Sequence, residues 1–319
     1  MRVAFLFPGQ GAQFVGMGAA LYAAEPAARA AVDQAAEACG LPLAELCFQG
    51  PEQRLGETEV TQPAILAVSA AVLAVLRQRG VVPAAAAGLS LGEYGALLAA
   101  GAADLTALAP LVRRRGRYMQ EAVPLGVGGM AAVLGLDRAG VERLCARALQ
   151  AVAAPPPPGG WVLAPANLNC PGQIVVAGHL VAVQQAVALG PECGARRVLA
   201  LPVSAPFHCA LMAPAAERLR PELAALPLRP AAIPVVCNAS AEPVQSPGEM
   251  RAALLRQVCQ PVLWEDSVRR LGALGCDTFV EVGPGRTLTG FLGRILPEAR
   301  ALPVSDPQSL ARCAAELAA

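Results

Sequence analysis

The chain has 319 residues, 55% of them apolar and only 15% charged, with a formal net charge of +1. That length buries a large core and excludes a disordered protein, while near-neutral charge gives no footing for nucleic acid or an anionic membrane. Lysine is absent, which excludes a Schiff-base lysine, a pyridoxal phosphate anchor and a P-loop phosphate lysine together.

The first predicted element is a buried parallel strand at Val3 to Phe7, running into the loop Pro8-Gly9-Gln10-Gly11-Ala12-Gln13. The loop glycines let backbone approach a ligand, but Phe14 stands where a dinucleotide fingerprint needs its third glycine. Helical patterns follow over Ala19 to Gly40 and Gln62 to Arg79, then an apolar run from Val81 to Ala87 reads as a second buried strand. Asp104 to Gln120 is helical and carries Arg113, Arg114, Arg115 and Arg117.

From Gly126 the texture changes. Strand patterns at Gly129 to Leu136, Trp161 to Asn167, Gln173 to Ala177 and Arg197 to Leu201 interleave with helices at Ala139 to Gln150 and Val181 to Leu189. That β-α-β-β-α-β order is the ferredoxin-like arrangement. It predicts a small domain over 126–200 set into a larger α/β domain made of 1–125 and 201–319. Pro155 to Pro158 reads as a stiff surface loop within it. Beyond it come a helix from Met212 to Leu226, a strand at Ile233 to Cys237, a helix from Gly248 to Cys259, a strand at Thr278 to Val282 and a helix from Thr287. Repeated strand–helix units predict a doubly wound, mostly parallel sheet.

The ten cysteines are scattered, with no C-x-x-C and no histidine at zinc spacing, so no metal is expected and the thiols are expected reduced. Val3 to Phe7 is too short for a signal peptide, and no apolar run reaches membrane-spanning length free of Gly, Pro or charge. A cytoplasmic protein with no membrane or nucleic-acid partner is the expectation.

One motif carries chemistry. Gly88-x-Ser90-x-Gly92 lies between a predicted strand and a helix that opens at Glu93, the setting of a nucleophile elbow. The alternative is a glycine turn closing a strand–helix unit, with Ser90 as the helix cap. A serine needs a base, and the chain has two histidines, His179 and His208. His179 ends a strand of the small domain. His208, in Ser204-Ala205-Pro206-Phe207-His208, returns the chain to the sheet that holds Ser90, so location favours it. The only aspartates between Ser90 and His208 are Asp104 and Asp137, neither at a convincing strand end. An ordinary esterase order of serine, acid and late histidine therefore fits poorly.

These blocks, with Thr61-Gln62-Pro63-Ala64, Arg115-Gly116-Arg117-Tyr118-Met119-Gln120, Asn167-Leu168-Asn169-Cys170-Pro171-Gly172-Gln173, Asn238, Arg256-Gln257 and Glu281-Val282-Gly283-Pro284-Gly285, span the chain in order. Together they resemble the malonyl-CoA:acyl carrier protein transacylase family. The resemblance implies a hydrolase-like large domain interrupted by a ferredoxin-like one, with Ser90 as acylated nucleophile and His208 as base. It implies a backbone carbonyl near Gln257 in place of a triad carboxylate, an oxyanion hole from the N–H groups of Gln10 and Leu91, and Arg115 with Gln62 at the malonyl carboxylate. Malonyl-CoA and acyl carrier protein are the implied partners, a monomer is expected, and no cofactor is implied beyond the CoA thioester. The family usually has histidine where this chain has Leu89, and Phe207 fits relatives that take malonyl. A discrete acyltransferase of a polyketide assembly line would use the same site. A serine thioesterase or esterase, and a non-catalytic interaction protein, are the other readings.

Overall fold

The computed structural model describes residues 1–203 and 205–318. Ser204, in the stretch that leads to His208, lies outside them. Ten strands form two sheets: β1 (Val3–Phe7), β2 (Ala85–Gly88), β3 (Gly128–Leu134), β4 (Leu163–Cys170), β5 (Gln173–His179), β6 (Arg197–Ala200), β7 (Val235–Val236), β8 (Pro243–Val244), β9 (Thr278–Val282) and β10 (Arg300–Val304). The larger sheet runs β10-β9-β1-β2-β7-β8, parallel except for the β7–β8 pair. Its central strands are buried on both faces, which is why they read as unbroken apolar runs. The smaller sheet is antiparallel, β4-β5-β3-β6. Helices Arg138–Gln150 and Leu180–Leu189 cover one of its faces, burying Val133, Val141, Leu144, Ile174 and Val176 between them. Chain order and strand order together give the ferredoxin-like arrangement, set into a doubly wound α/β body.

Helix Thr58–Gln78 is the core's main beam. By length and composition it could cross a membrane, but nearly all of it is buried inside the protein, so its apolar surface is already covered. It begins a turn before the expected start at Gln62, and Thr61 Oγ1 in its first turn donates to Leu55 O at 2.5 Å. The single helix expected over Ala19 to Gly40 is two, Ala19–Ala24 and Pro26–Cys39. The break falls at Glu25, which is extended, and Pro26 opens the second helix without a donor to lose. The second expected strand is shorter than Val81 to Ala87, since pairing with β1 starts at Ala85.

Register positions the site. Phe7 pairs with Gly88, so the loop after β1 and the turn after β2 leave the sheet side by side. These are carboxyl ends of adjacent parallel strands, where open α/β sheets place their ligands.

Candidate active site

The turn after β2 is built to a tolerance that only glycine meets. A Cβ on Gly88 would stand 1.9 Å from the carbonyl carbon of Gly92, and one on Gly92 would stand 2.0 Å from Phe7 O. Between them Ser90 has φ 53°, a left-handed conformation that holds a non-glycine residue under strain. Asn238, just beyond β7, pins this conformation. Its side chain accepts from Ser90 N at 2.6 Å and donates to Gly88 O at 2.7 Å.

His208 meets Ser90 from the loop that follows β6. Ser90 Oγ lies 2.7 Å from His208 Nε2, and His208 Nδ1 lies 2.7 Å from the main-chain oxygen of Gln257. A carbonyl accepts only, so Nδ1 carries the ring proton and Nε2 is bare toward the serine hydroxyl. The acceptor at Nδ1, where a serine hydrolase places a carboxylate, is thus a backbone carbonyl on helix Pro247–Cys259. Burial, and then the positive charge of Arg115, lower the His208 pKa to about 4, so the ring is neutral at physiological pH. His179 sits in the other sheet, accepting from Val162 N at 2.9 Å with its ring edge-on to Trp161. It has a structural place there and none beside Ser90.

Arg115 is 1% exposed, on helix Leu105–Glu121. Nη1 donates to Gln62 Oε1 at 2.8 Å, and Nη2 to Gln257 Oε1 at 2.9 Å and Ser90 Oγ at 3.2 Å. The buried guanidinium is therefore partnered, though by neutral oxygens, and among the described residues its Nε has no acceptor. The other arginines of that helix turn elsewhere: Arg113 to Cys39 O, Arg114 to Glu222, Arg117 over the Tyr118 ring.

The N–H groups of Gln10 and Leu91 have no acceptor among the described residues, and both residues line one cavity with Ser90, His208 and Arg115. The cavity measures about 410 Å³ and lies between the strand ends of the large sheet and the open face of the small one. Leu89 and Phe207 also line it.

Two members were legible as letters but not as parts. Glu93 is a 1% exposed carboxylate that accepts from Asn238 N and from Gln257 Nε2, both at 2.9 Å. Gln257 Nε2 also reaches Ser90 O, so one side chain touches the nucleophile's backbone, the carboxylate and Arg115. A charged residue in the first turn of an otherwise apolar helix was the available signal for Glu93. Among the described residues no three His, Cys, Asp or Glu side chains converge as a metal site.

The arrangement suits acyl transfer: a serine with a neutral base, two free N–H donors for an oxyanion, and a buried cation beside the nucleophile. Residues 4–310 match the acyl transferase domain family. The chain is 43% identical over 309 residues to the malonyl CoA-acyl carrier protein transacylase of Bacillus subtilis (strain 168), covering 97% of this chain and 95% of that one. A malonyl CoA-acyl carrier protein transacylase structure from Coxiella burnetii superposes with a TM-score of 0.94 at 36% identity, covering 99% of this chain and 98% of that one. A malonyl-transacylase solved in complex with a type II PKS acyl-carrier protein gives 0.94 at 40% identity, covering 99% and 100%.

Proposed function

The chain belongs to the acyl transferase family, and from that premise we propose that it moves a malonyl group from malonyl-CoA to the phosphopantetheine thiol of an acyl carrier protein. The observation that carries the mechanism is the chain of contacts from Ser90 Oγ through the His208 ring to Gln257 O, with Arg115 against the same hydroxyl. Ser90 Oγ attacks the thioester carbon while His208 Nε2 takes its proton. The oxyanion is received by the N–H groups of Gln10 and Leu91, and collapse expels CoA thiolate, which takes the proton back from His208. In the second half His208 deprotonates the carrier thiol, which attacks the malonyl ester and returns Ser90 to its hydroxyl. Atoms and charge balance without a metal or redox group.

Arg115 holds the malonyl carboxylate, with Gln62 fixing the guanidinium plane. A planar fork binds a carboxylate through two parallel hydrogen bonds, and its neutral glutamine partners leave the positive charge for the substrate. Ten free thiols, most of them buried, fit the reducing cytoplasm. Incubation with malonyl-CoA should add one malonyl group to the peptide containing Ser90, which holo-carrier then removes. Ser90→Ala should take up none. An adduct on another residue, or release of malonate to water at the rate of transfer, would overturn the reading.

A further inference from the structure

Two buried polar groups around Arg115 have no hydrogen-bond partner among the described residues, and each offers what the other lacks. One is the Arg115 Nε–H, which only donates; the other is the Tyr94 hydroxyl, whose oxygen can accept. Tyr94 lies in the first turn of helix Gly92–Ala99 and is fully buried. The Arg115 guanidinium carbon stands 5.6 Å from its ring centroid, within reach of a cation–π contact. Tyr94 does not line the cavity, so it reaches substrate only through Arg115.

Packing alone does not explain a tyrosine here. A phenylalanine would fill the same place without an unpaired buried hydroxyl, which costs roughly 1–3 kcal/mol. Burial pushes the phenol pKa up to about 12, so Tyr94 offers Arg115 a ring face and a neutral oxygen.

The donors of Arg115 show when that oxygen is needed. A guanidinium carries five N–H groups. Three are used, one of Nη1 by Gln62 and both of Nη2 by Gln257 and Ser90 Oγ. In the acyl-enzyme Ser90 Oγ is an ester oxygen, a weaker acceptor than a hydroxyl. The malonyl carboxylate then takes that Nη2 hydrogen together with the second hydrogen of Nη1, which is the two-bond fork. Only Nε–H is left without an acceptor, and the Tyr94 oxygen satisfies it.

We propose that Tyr94 is a positioning residue for malonyl: its hydroxyl receives Arg115 Nε–H when the carboxylate is bound and fixes the guanidinium plane against it. The proposal rests on the acyl-transfer reading above. An acetyl group, which has no carboxylate, makes no use of this bond.

Tyr94→Phe keeps the ring and removes only the oxygen. Its kcat/KM for malonyl-CoA should fall about tenfold or more, the scale of a hydrogen bond to a charged group, while that for acetyl-CoA stays within about twofold. Its urea midpoint should not fall, because the hydroxyl has no partner to lose. In an Arg115→Ala background the same change should leave malonyl transfer where it was, since the two residues act as one unit. A residue that merely filled the core would lower both substrates alike, or neither. Parallel losses, an unchanged malonyl value, or the full further loss in the Arg115→Ala background would each overturn the proposal. With malonyl-Ser90 formed in the parent protein, any of these results overturns the role of Tyr94 alone. A parent protein that takes no malonyl onto Ser90 would overturn the acyl-transfer reading and this one with it.

Discussion

In the proposed reaction His208 is the base, and two neighbours keep a proton off it until Ser90 supplies one. Burial disfavours the imidazolium, and Arg115 adds like-charge repulsion, which together bring the pKa down to about 4. Below that pH Nε2 is protonated and cannot accept, so the acid limb of acylation kcat/KM is expected near pH 4, not near 6.5. Arg115→Ala removes the repulsion and should move that limb upward, toward the value for free histidine. A pH–rate profile of both proteins checks it, and a limb that stays put would mean burial alone sets the base. His208→Ala should cost roughly 10²–10⁴ in rate, whereas His179→Ala, whose ring only closes a contact in the small sheet, should leave kcat near that of the parent. In the same proposed reaction Arg115 carries selectivity. A malonyl carboxylate adds a charged partner in direct contact, while an acetyl group leaves the guanidinium with only neutral hydrogen-bond acceptors. Arg115→Ala is therefore expected to lower kcat/KM for malonyl-CoA by at least about 2 kcal/mol while acetyl transfer holds or improves. Parallel losses with both substrates would make Arg115 a structural residue.

The turn after β2 shows what an element owes to its smallest residues. Gly88 and Gly92 are required because the carbonyl carbon of Gly92 and the oxygen of Phe7 occupy the places where their Cβ atoms would be. Those obstacles are backbone, which cannot swing aside as a side-chain end can. Gly88→Ala and Gly92→Ala should each destabilise by more than the roughly 1–3 kcal/mol usual for overpacking, read from urea unfolding. A loss under about 1 kcal/mol in either would show the turn to be looser than its geometry. This element was legible in advance, since its glycines, serine and flanking apolar run all lie within a dozen residues. Other elements were not. The helix expected from Gln62 starts at Thr58, with Pro63 inside its first turns and Thr61 bonded to Leu55 O. Helix Trp264–Ala273 passed unremarked, although Trp264, Val268 and Leu271 bury its apolar stripe.

At the scale of the molecule, the site is a closure between segments far apart in sequence. Ser90 and Asn238 are 148 residues apart, Ser90 and Gln257 167, and Arg115 and Gln257 142. Sequence motifs named every one of these residues. They could not show that Gln257 offers its main chain to His208 and its side chain to four others, Ser90, Glu93, Asn238 and Arg115, because that depends on where its helix ends. Glu93 is the centre of this closure. Its carboxylate takes the N–H of Asn238 and the amide of Gln257, and its charge faces the buried Arg115. Burial pushes its pKa up, while those two donors and Arg115 pull it back. Removing one partner from a buried charged network leaves the rest unsatisfied, which typically costs about 3–5 kcal/mol. Glu93→Ala is therefore expected to lose that much stability in urea, far more than its distance from substrate would indicate. Glu93→Gln restores an oxygen for Asn238 N and should recover part of the stability. Near pH 4, where the acid limb of His208 falls, a carboxyl raised above its usual value by burial is already protonated, so the acid limb of Glu93→Gln should superimpose on that of the parent protein. Two measurements separate the roles: urea midpoints report the hydrogen bonds, and the pH profile reports the charge. A Glu93→Ala protein within about 1 kcal/mol of the parent would mean that the core holds these segments together without the carboxylate, and a displaced Glu93→Gln limb would mean that Glu93 is still ionised there.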